Sequence, residues 1–175
     1  MLKFSSNLLK IKLFYFNISG KLKKNNFKIN TSRANKNIDK VLMIFPIAEK
    51  DFNVAKYSFR SLLVNRSTQY YFLINNIFYS NFHFIGTTYG FNYLNKKNKI
   101  IINDNFINDN ILKEEFDAVF DLNSKFYFDI SMVVNHIQSN YKIGFKKEFS
   151  DWFYNVQIDS HTLEEGYKKI NSMLT

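Results

Sequence analysis

A three-layer α/β domain around a mostly parallel sheet is the fold this 175-residue sequence predicts, and three observations predict it. Continuous apolar runs of strand length recur along the chain, segments of helical periodicity separate them, and no stretch beyond residue 40 reads as a linker that would divide the body. The length suits one domain rather than two. Hydrophobic residues make up 46% of the chain, enough to bury a core and to exclude wholesale disorder. Cysteine is absent, so disulfide scaffolds and thiolate metal sites are excluded.

The elements follow in order. Val41 to Phe45 (VLMIF) is an unbroken apolar run closed by Pro46, as expected of a strand buried on both faces. Phe52, Ala55, Phe59 and Leu62 then recur at helical spacing, with Lys56 and Arg60 between them. Tyr70 to Ile74 (YYFLI) reads as the second strand of a parallel βαβ unit. His83 to Gly86 reads as a short strand or the end of a helix, and TTYG with Gly90 as a turn. Lys99 to Ile102 (KIII) is a further strand, Asn103 to Asn110 a polar loop, and Ile111 to Glu115 a short helix. Phe116 to Asp121 (FDAVFD) is a strand ending in an acid. A helix follows with Ile130, Val133, Val134 and Ile137 on one face, then a strand at Tyr141 to Phe145 (YKIGF) and another at Asn155 to Ile158. Leu163, Tyr167, Ile170 and Leu174 mark an amphipathic closing helix.

Charge separates the chain into two parts. Residues 1–40 hold nine Lys and Arg33 against Asp39 alone, which is +10 − 1 = +9, while the remaining 135 residues balance at +14 and −14. The domain organisation is thus a basic extension, 1–40, and a neutral α/β body, 41–175. A neutral body argues against nucleic acid as a partner. No apolar run in the extension approaches the roughly 20 residues of a spanning helix, and no secretory h-region or cleavage site is evident. The expected location is therefore cytoplasmic, with a peripheral association with the inner membrane as the alternative. The extension mixes Leu, Ile, Phe and Tyr with lysines and shows no clean helical stripe. Two readings stand side by side: a helix packed on the body followed by a solvated linker, or a segment lying on an anionic membrane surface.

The strong chemical signatures are missing: dinucleotide, P-loop, zincin and hydrolase-elbow patterns all fail. NDNFINDN lacks the central Gly and the ligand spacing of a calcium loop. His83, His136 and His161 each stand without a second ligand at metal spacing; His83 is expected in the core or at a sheet edge, and Trp152 as a packing residue. No cofactor and no metal is therefore expected. What remains is positional, because ligands of open parallel sheets collect beyond the carboxyl ends of the strands. Two segments lie there, Ile47 to Asp51 and Asp121 to Lys125. Their polar residues have a structural reading as helix caps and first-turn charges beside a functional one.

Within these segments, VLMIFPIAEKDFNVAKYSFRSL (41–62) resembles the opening of glycosyltransferase family 9, the lipopolysaccharide heptosyltransferases, which begin with a strand, then I-G-D-x-x-L, then a helix ending in L-R-x-L. The alignment needs no gap, and it sets Asp51 on the motif Asp and Arg60 on the helix Arg. FDAVFDLN (116–123) resembles the Y-D-x-x-I-D-L-Q strand of that family, YKIGF (141–145) its R-x-G-F strand, and FSDWFYNV also has a similar look. The resemblance spans about residues 41 to 158 and extends to short bacterial proteins with the same half-fold. It implies a Rossmann-like, single GT-B-type half, with Asp51 as the general base that deprotonates an acceptor hydroxyl. Lys50, Arg60, Asp121, Asn123, Ser124 and Lys125 are the accompanying ligand-binding candidates. Lys50 replaces the motif Gly, Lys125 falls out of register with the motif Lys, and no segment here corresponds to the nucleotide-sugar domain of the family.

The expected function is a non-catalytic binding or assembly module linked to envelope polysaccharide synthesis. The alternatives are half of a hexosyl- or heptosyltransferase that completes its site with a second chain or by homodimerising, and a membrane-surface adaptor acting through residues 1–40.

Overall fold

The computed structural model describes residues 6–23, 38–60, 62, 68–94, 99–101 and 111–174. The expected polar loop at 103–110 lies outside the described residues. The chain opens with helix α1 (Ser6–Ile18) and continues through β1 (Lys40–Ile44), α2 (Glu49–Ser58), β2 (Gln69–Asn75), β3 (Thr87–Leu94), β4 (Lys99–Ile101), β5 (Glu115–Asp121), α3 (Phe128–His136), β6 (Gln138–Phe145), β7 (Val156–Ile158) and α4 (Leu163–Leu174). Short 3₁₀ turns at Asn76–Asn81 and Ser150–Trp152 follow β2 and β6.

One sheet runs in the order β4-β3-β2-β1-β5-β6-β7. All neighbouring pairs are parallel except β3–β4, which is antiparallel at the edge. Central β1 shows why the opening run is wholly apolar: Val41, Met43 and Phe45 enter one core cluster and Leu42 and Ile44 the opposite one. With period-two side chains and helices on both faces, a central parallel strand has no solvent side. The first face is covered by α2, through Phe52 and Ala55, and by α4, through Tyr167, Ile170 and Leu174. The second is covered by α3, through Ile130 and Val134, and by α1, through Leu13.

Helix α4 starts on a box-like cap, with the Glu165 amide donating to Thr162 Oγ1 at 3.2 Å and the Glu165 carboxylate accepting from the His161 amide at 3.0 Å. Its Gly166 lets the helix come down on the sheet, since a Cβ there would lie 2.3 Å from the Phe145 ring.

Three local expectations are corrected. TTYG is no turn but the first half of β3, and Gly90 is bare because the Asn76 side chain occupies the space of a Cβ, 1.8 Å from it. The helix expected at Ile111 to Glu115 is a turn that leads directly into β5. His83 is exposed, in neither the core nor a strand. Lys99–Ile101 of the KIII segment form the expected strand, antiparallel at the edge of the sheet.

Candidate functional site

The strand order reverses between β1 and β5: the chain leaves β1 toward β2 and β3, and leaves β5 toward β6 and β7. Loops 45–48 and 122–127 therefore diverge from adjacent strand ends, which is where an open parallel sheet forms its ligand crevice. The ladders run one residue past each strand, with the Phe45 amide donating to Leu73 O at 2.9 Å and the Leu122 amide to Ile44 O at 3.0 Å. The site thus stands on backbone held from both sides.

Beyond Phe45 the chain turns through Pro46 into α2, whose N-cap Ala48 is extended and carries no capping side chain. Glu49 and Asp51 instead place carboxylates in the first turn, favourable to the helix dipole by roughly 0.3–1 kcal/mol each. Asp51 is half-buried, and its Oδ2 accepts a 2.5 Å hydrogen bond from the Ser124 hydroxyl across the crevice. Lys50 is exposed beside it in ordinary helical conformation, so a helical turn stands where the family motif has its Gly loop.

Asp121, at the end of β5, is treated very differently. It is buried, and its Oδ1 accepts from the Asn123 amide at 3.0 Å and from Asn123 Nδ2 at 2.7 Å. Its Oδ2 takes the Tyr154 hydroxyl and an ion pair with Lys147 Nζ at 3.2 Å. Lys147 donates further to the carbonyls of Asn123 at 2.8 Å and Lys125 at 3.3 Å. Asn123 in turn accepts from the Ile47 amide at 2.9 Å, which ties the two crevice loops together. Burial first, and then the charge of Asp121, push the Tyr154 phenol well above its ordinary range, so it stays a hydrogen-bond donor. Its ring reaches the carboxylate over Gly144, where any Cβ would come within 2.8 Å of it. The Gly of YKIGF has that spatial purpose.

At the start of α3, Tyr127 is pushed up to about 12 by burial, then by Tyr93 and by the carboxylates of Asp51 and Asp121. Its ring meets that of Tyr93 edge-on at 5.8 Å.

The structure thus brings Asp51, Lys50, Asp121, Asn123, Ser124 and Lys125 to one end of the sheet. Arg60 it does not bring there: the residue lies past the far end of α2, roughly 13 Å along the axis from Asp51 at 1.5 Å per residue, with its guanidinium over the Tyr57 ring at 4.0 Å. Lys147, Tyr154 and Tyr127 were not singled out by sequence reasoning. One signal for Lys147 was available, a Lys pair directly after the strand YKIGF. Among the described residues no group of three His, Asp or Glu side chains could hold a metal ion. Chemically, the crevice offers one half-buried carboxylate already bonded to a hydroxyl, beside a second carboxylate saturated by donors.

Comparison of the whole fold follows from this geometry. The chain superposes on E. coli heptosyltransferase WaaC with ADP at a TM-score of 0.58 and 11% identity, over 77% of this chain and 46% of that one. It folds like one half of a heptosyltransferase. The same enzyme with ADP-2-deoxy-2-fluoro heptose matches at a TM-score of 0.58 and 12% identity, over 77% of this chain and 47% of that one. The chain therefore spans about half the length of the heptosyltransferase structures it matches. No protein-family model matches the sequence, and no curated protein matches it significantly. At such identity the likeness is one of fold, and it agrees with the heptosyltransferase-like motifs noted at β1, β5 and β6.

Proposed function

We propose that this chain is a heptosyltransferase-like binding module, linked to envelope polysaccharide synthesis, that holds a hydroxyl-bearing ligand at the crevice without catalysing transfer by itself. The observation that carries this reading is the Asp51–Ser124 hydrogen bond at the switch point. There a carboxylate accepts from a hydroxyl, and a sugar hydroxyl offers the same donor. Autonomous catalysis has little held in place to work with: Lys147 is consumed by Asp121 and two carbonyls, Arg60 is remote, and Lys50 and Lys125 are exposed at the rim of the crevice. A transferase needs a positioned donor as well as a base.

The test is thermal unfolding against nucleotides, nucleotide sugars and polyhydroxylated acceptors. A ligand at about 100 times its Kd stabilises the native state by about 2.7 kcal/mol, roughly 5–10 °C for a chain of this size. The reading expects such a shift for at least one compound, its loss in Asp51→Ala, and no turnover. No shift across the panel would remove the binding role, and turnover by the purified chain would remove the non-catalytic one.

A second reading, half of a transferase that completes its site with another chain, is favoured by a separate observation. Ile77, Tyr79 and Trp152 are exposed on the two turns that follow β2 and β6, at the same end of the sheet as the crevice. Sedimentation that stayed monomeric at all concentrations, with no activity restored by a donor-binding partner, would count against it.

A further inference from the structure

Helix α1 is apolar on two sides. Leu13 is fully buried against the second core cluster, with Leu9 and Phe16 partly buried beside it. The Phe16 ring meets Phe128 edge-on at 5.6 Å, and Lys12 Nζ lies 3.9 Å from the centroid of that Phe128 ring. After the helix, the Lys23 amide donates to Asn135 Oδ1 at 2.8 Å while Asn135 Nδ2 donates back to Lys23 O at 3.0 Å. The helix is therefore fixed on the body. On its other side Leu8, Ile11, Tyr15 and Ile18 follow one another at i, i+3, i+7 and i+10, with Phe14 alongside, and each is more than half exposed. A globular helix buries one such stripe and leaves the other polar.

The charge around this stripe narrows what can cover it. Residues 1–38 contain eight Lys and Arg33 and not one Asp or Glu, and Lys10 and Lys21 are exposed on or just after the helix, as is Lys23, whose ammonium donates to His136 O at 2.9 Å. A second copy docked isologously would set these lysines against themselves, with no acid in the segment to offset them. An anionic surface meets both the apolar stripe and the lysines. At 13 residues the helix is about 20 Å long, too short to cross a hydrocarbon core of about 30 Å, and no described helix is long and apolar enough to do so. It suits lying in the plane of the interface.

We propose that the outward face of α1 seats the protein on an anionic lipid surface. Leu8, Ile11, Phe14, Tyr15 and Ile18 enter the boundary between headgroups and acyl chains, and the flanking lysines meet lipid phosphates. Asp51 and the crevice take no part, so success or failure here is separate from the ligand test above.

The experiment is co-sedimentation of the full chain at low salt with vesicles of phosphatidylglycerol and phosphatidylcholine in equal parts, and with vesicles of phosphatidylcholine alone. Binding to the mixed vesicles is expected, weaker by at least roughly tenfold on the neutral ones, since each lysine near an anionic surface contributes about 1 kcal/mol, or about fivefold. Ile11→Glu with Ile18→Glu should weaken binding by roughly tenfold or more while leaving thermal unfolding nearly unchanged, both side chains being exposed. Lys10→Gln with Lys21→Gln, which gives up only the contact of Lys21 Nζ over the Phe16 ring at 5.4 Å, should lower binding to mixed vesicles only. The proposal is overturned if the parent protein ignores mixed vesicles at low salt, or if the two Glu substitutions leave binding intact. It is equally overturned if concentration-dependent self-association disappears in the Glu variant, which would assign the face to a second copy.

Discussion

Replacing Lys147 by Met tests whether the buried cluster around Asp121 is what holds the crevice. Both partners of the ion pair are deeply buried, Lys147 at 8% and Asp121 at 1% side-chain exposure. Removing the lysine leaves a buried carboxylate with the Tyr154 hydroxyl and two Asn123 donors, and removes a donor from the carbonyls of Asn123 and Lys125. Breaking a buried pair by deleting one partner costs about 3–5 kcal/mol. The donors that remain on Asp121 place the expected loss at the lower end, about 3 kcal/mol, or roughly 6–12 °C in Tm for a chain of this size. Tyr154→Phe removes a hydrogen bond to a charged acceptor and should cost about 1.5–3 kcal/mol. Because the two donors share Asp121 Oδ2, the double variant should depart from additivity by about 0.5–3 kcal/mol. Urea unfolding of the four proteins measures all three quantities. A Lys147→Met protein within about 0.5 kcal/mol of the parent, or a strictly additive cycle, would show that the cluster does not act as one unit.

Two further perturbations probe its surroundings. Lys142 is buried on β6, its ammonium donating to Asn135 O at 2.7 Å, and burial and then the charge of Lys23 lower it from 10.5 to about 8. Below pH 8 it is charged in both folded and unfolded chains and the burial penalty is fully present. Between pH 8 and 10.5 the unfolded chain binds more protons, so stability should rise across that window by roughly 3 kcal/mol. Tyr127, raised to about 12, acts oppositely, its contribution being lost from about pH 10 upward. Lys142→Met should abolish the rise between pH 8 and 10 in a series of melting curves; persistence of the rise would assign it to another group. Gly144→Ala would put a Cβ 2.8 Å from the Tyr154 ring and should cost about 1–3 kcal/mol, while also weakening the ligand-dependent shift by disturbing the Asp121 cluster. Unaltered unfolding of that variant would mean the ring can move aside freely.

Legibility in the sequence followed the range of the interactions. Strands β1, β5 and β6 and helix α4 announced themselves because burial on both faces, or on one helical stripe, is written within a few consecutive residues. TTYG misled because Gly punctuates turns more often than strands, and its reason here is Asn76, fourteen positions away. The extension left its packed helix as only one of two readings for another cause: with Leu9 and Leu13 inward and Leu8, Ile11 and Ile18 outward, two apolar sides blur the single stripe that periodicity looks for.

The crevice carries the same lesson into chemistry. Asp51 and Asp121 are equivalent to a local reading, each an acid beyond an apolar strand and ahead of a helix. What separates them is the number of donors delivered from elsewhere. Asp121 receives Lys147 and Tyr154 from 26 and 33 residues further along the chain, and its charge is spent on joining the β5 and β6 ends. Among the described residues Asp51 has one side-chain partner, the Ser124 hydroxyl, on a loop that the same cluster holds in place through Asn123 and Ile47. The saturated carboxylate therefore fixes the position of the unsaturated one. Loss of ligand response in Lys147→Met, with Asp51 untouched, would be the expected consequence of that division of roles; a variant that unfolds more easily yet binds as tightly would show that the two carboxylates act independently.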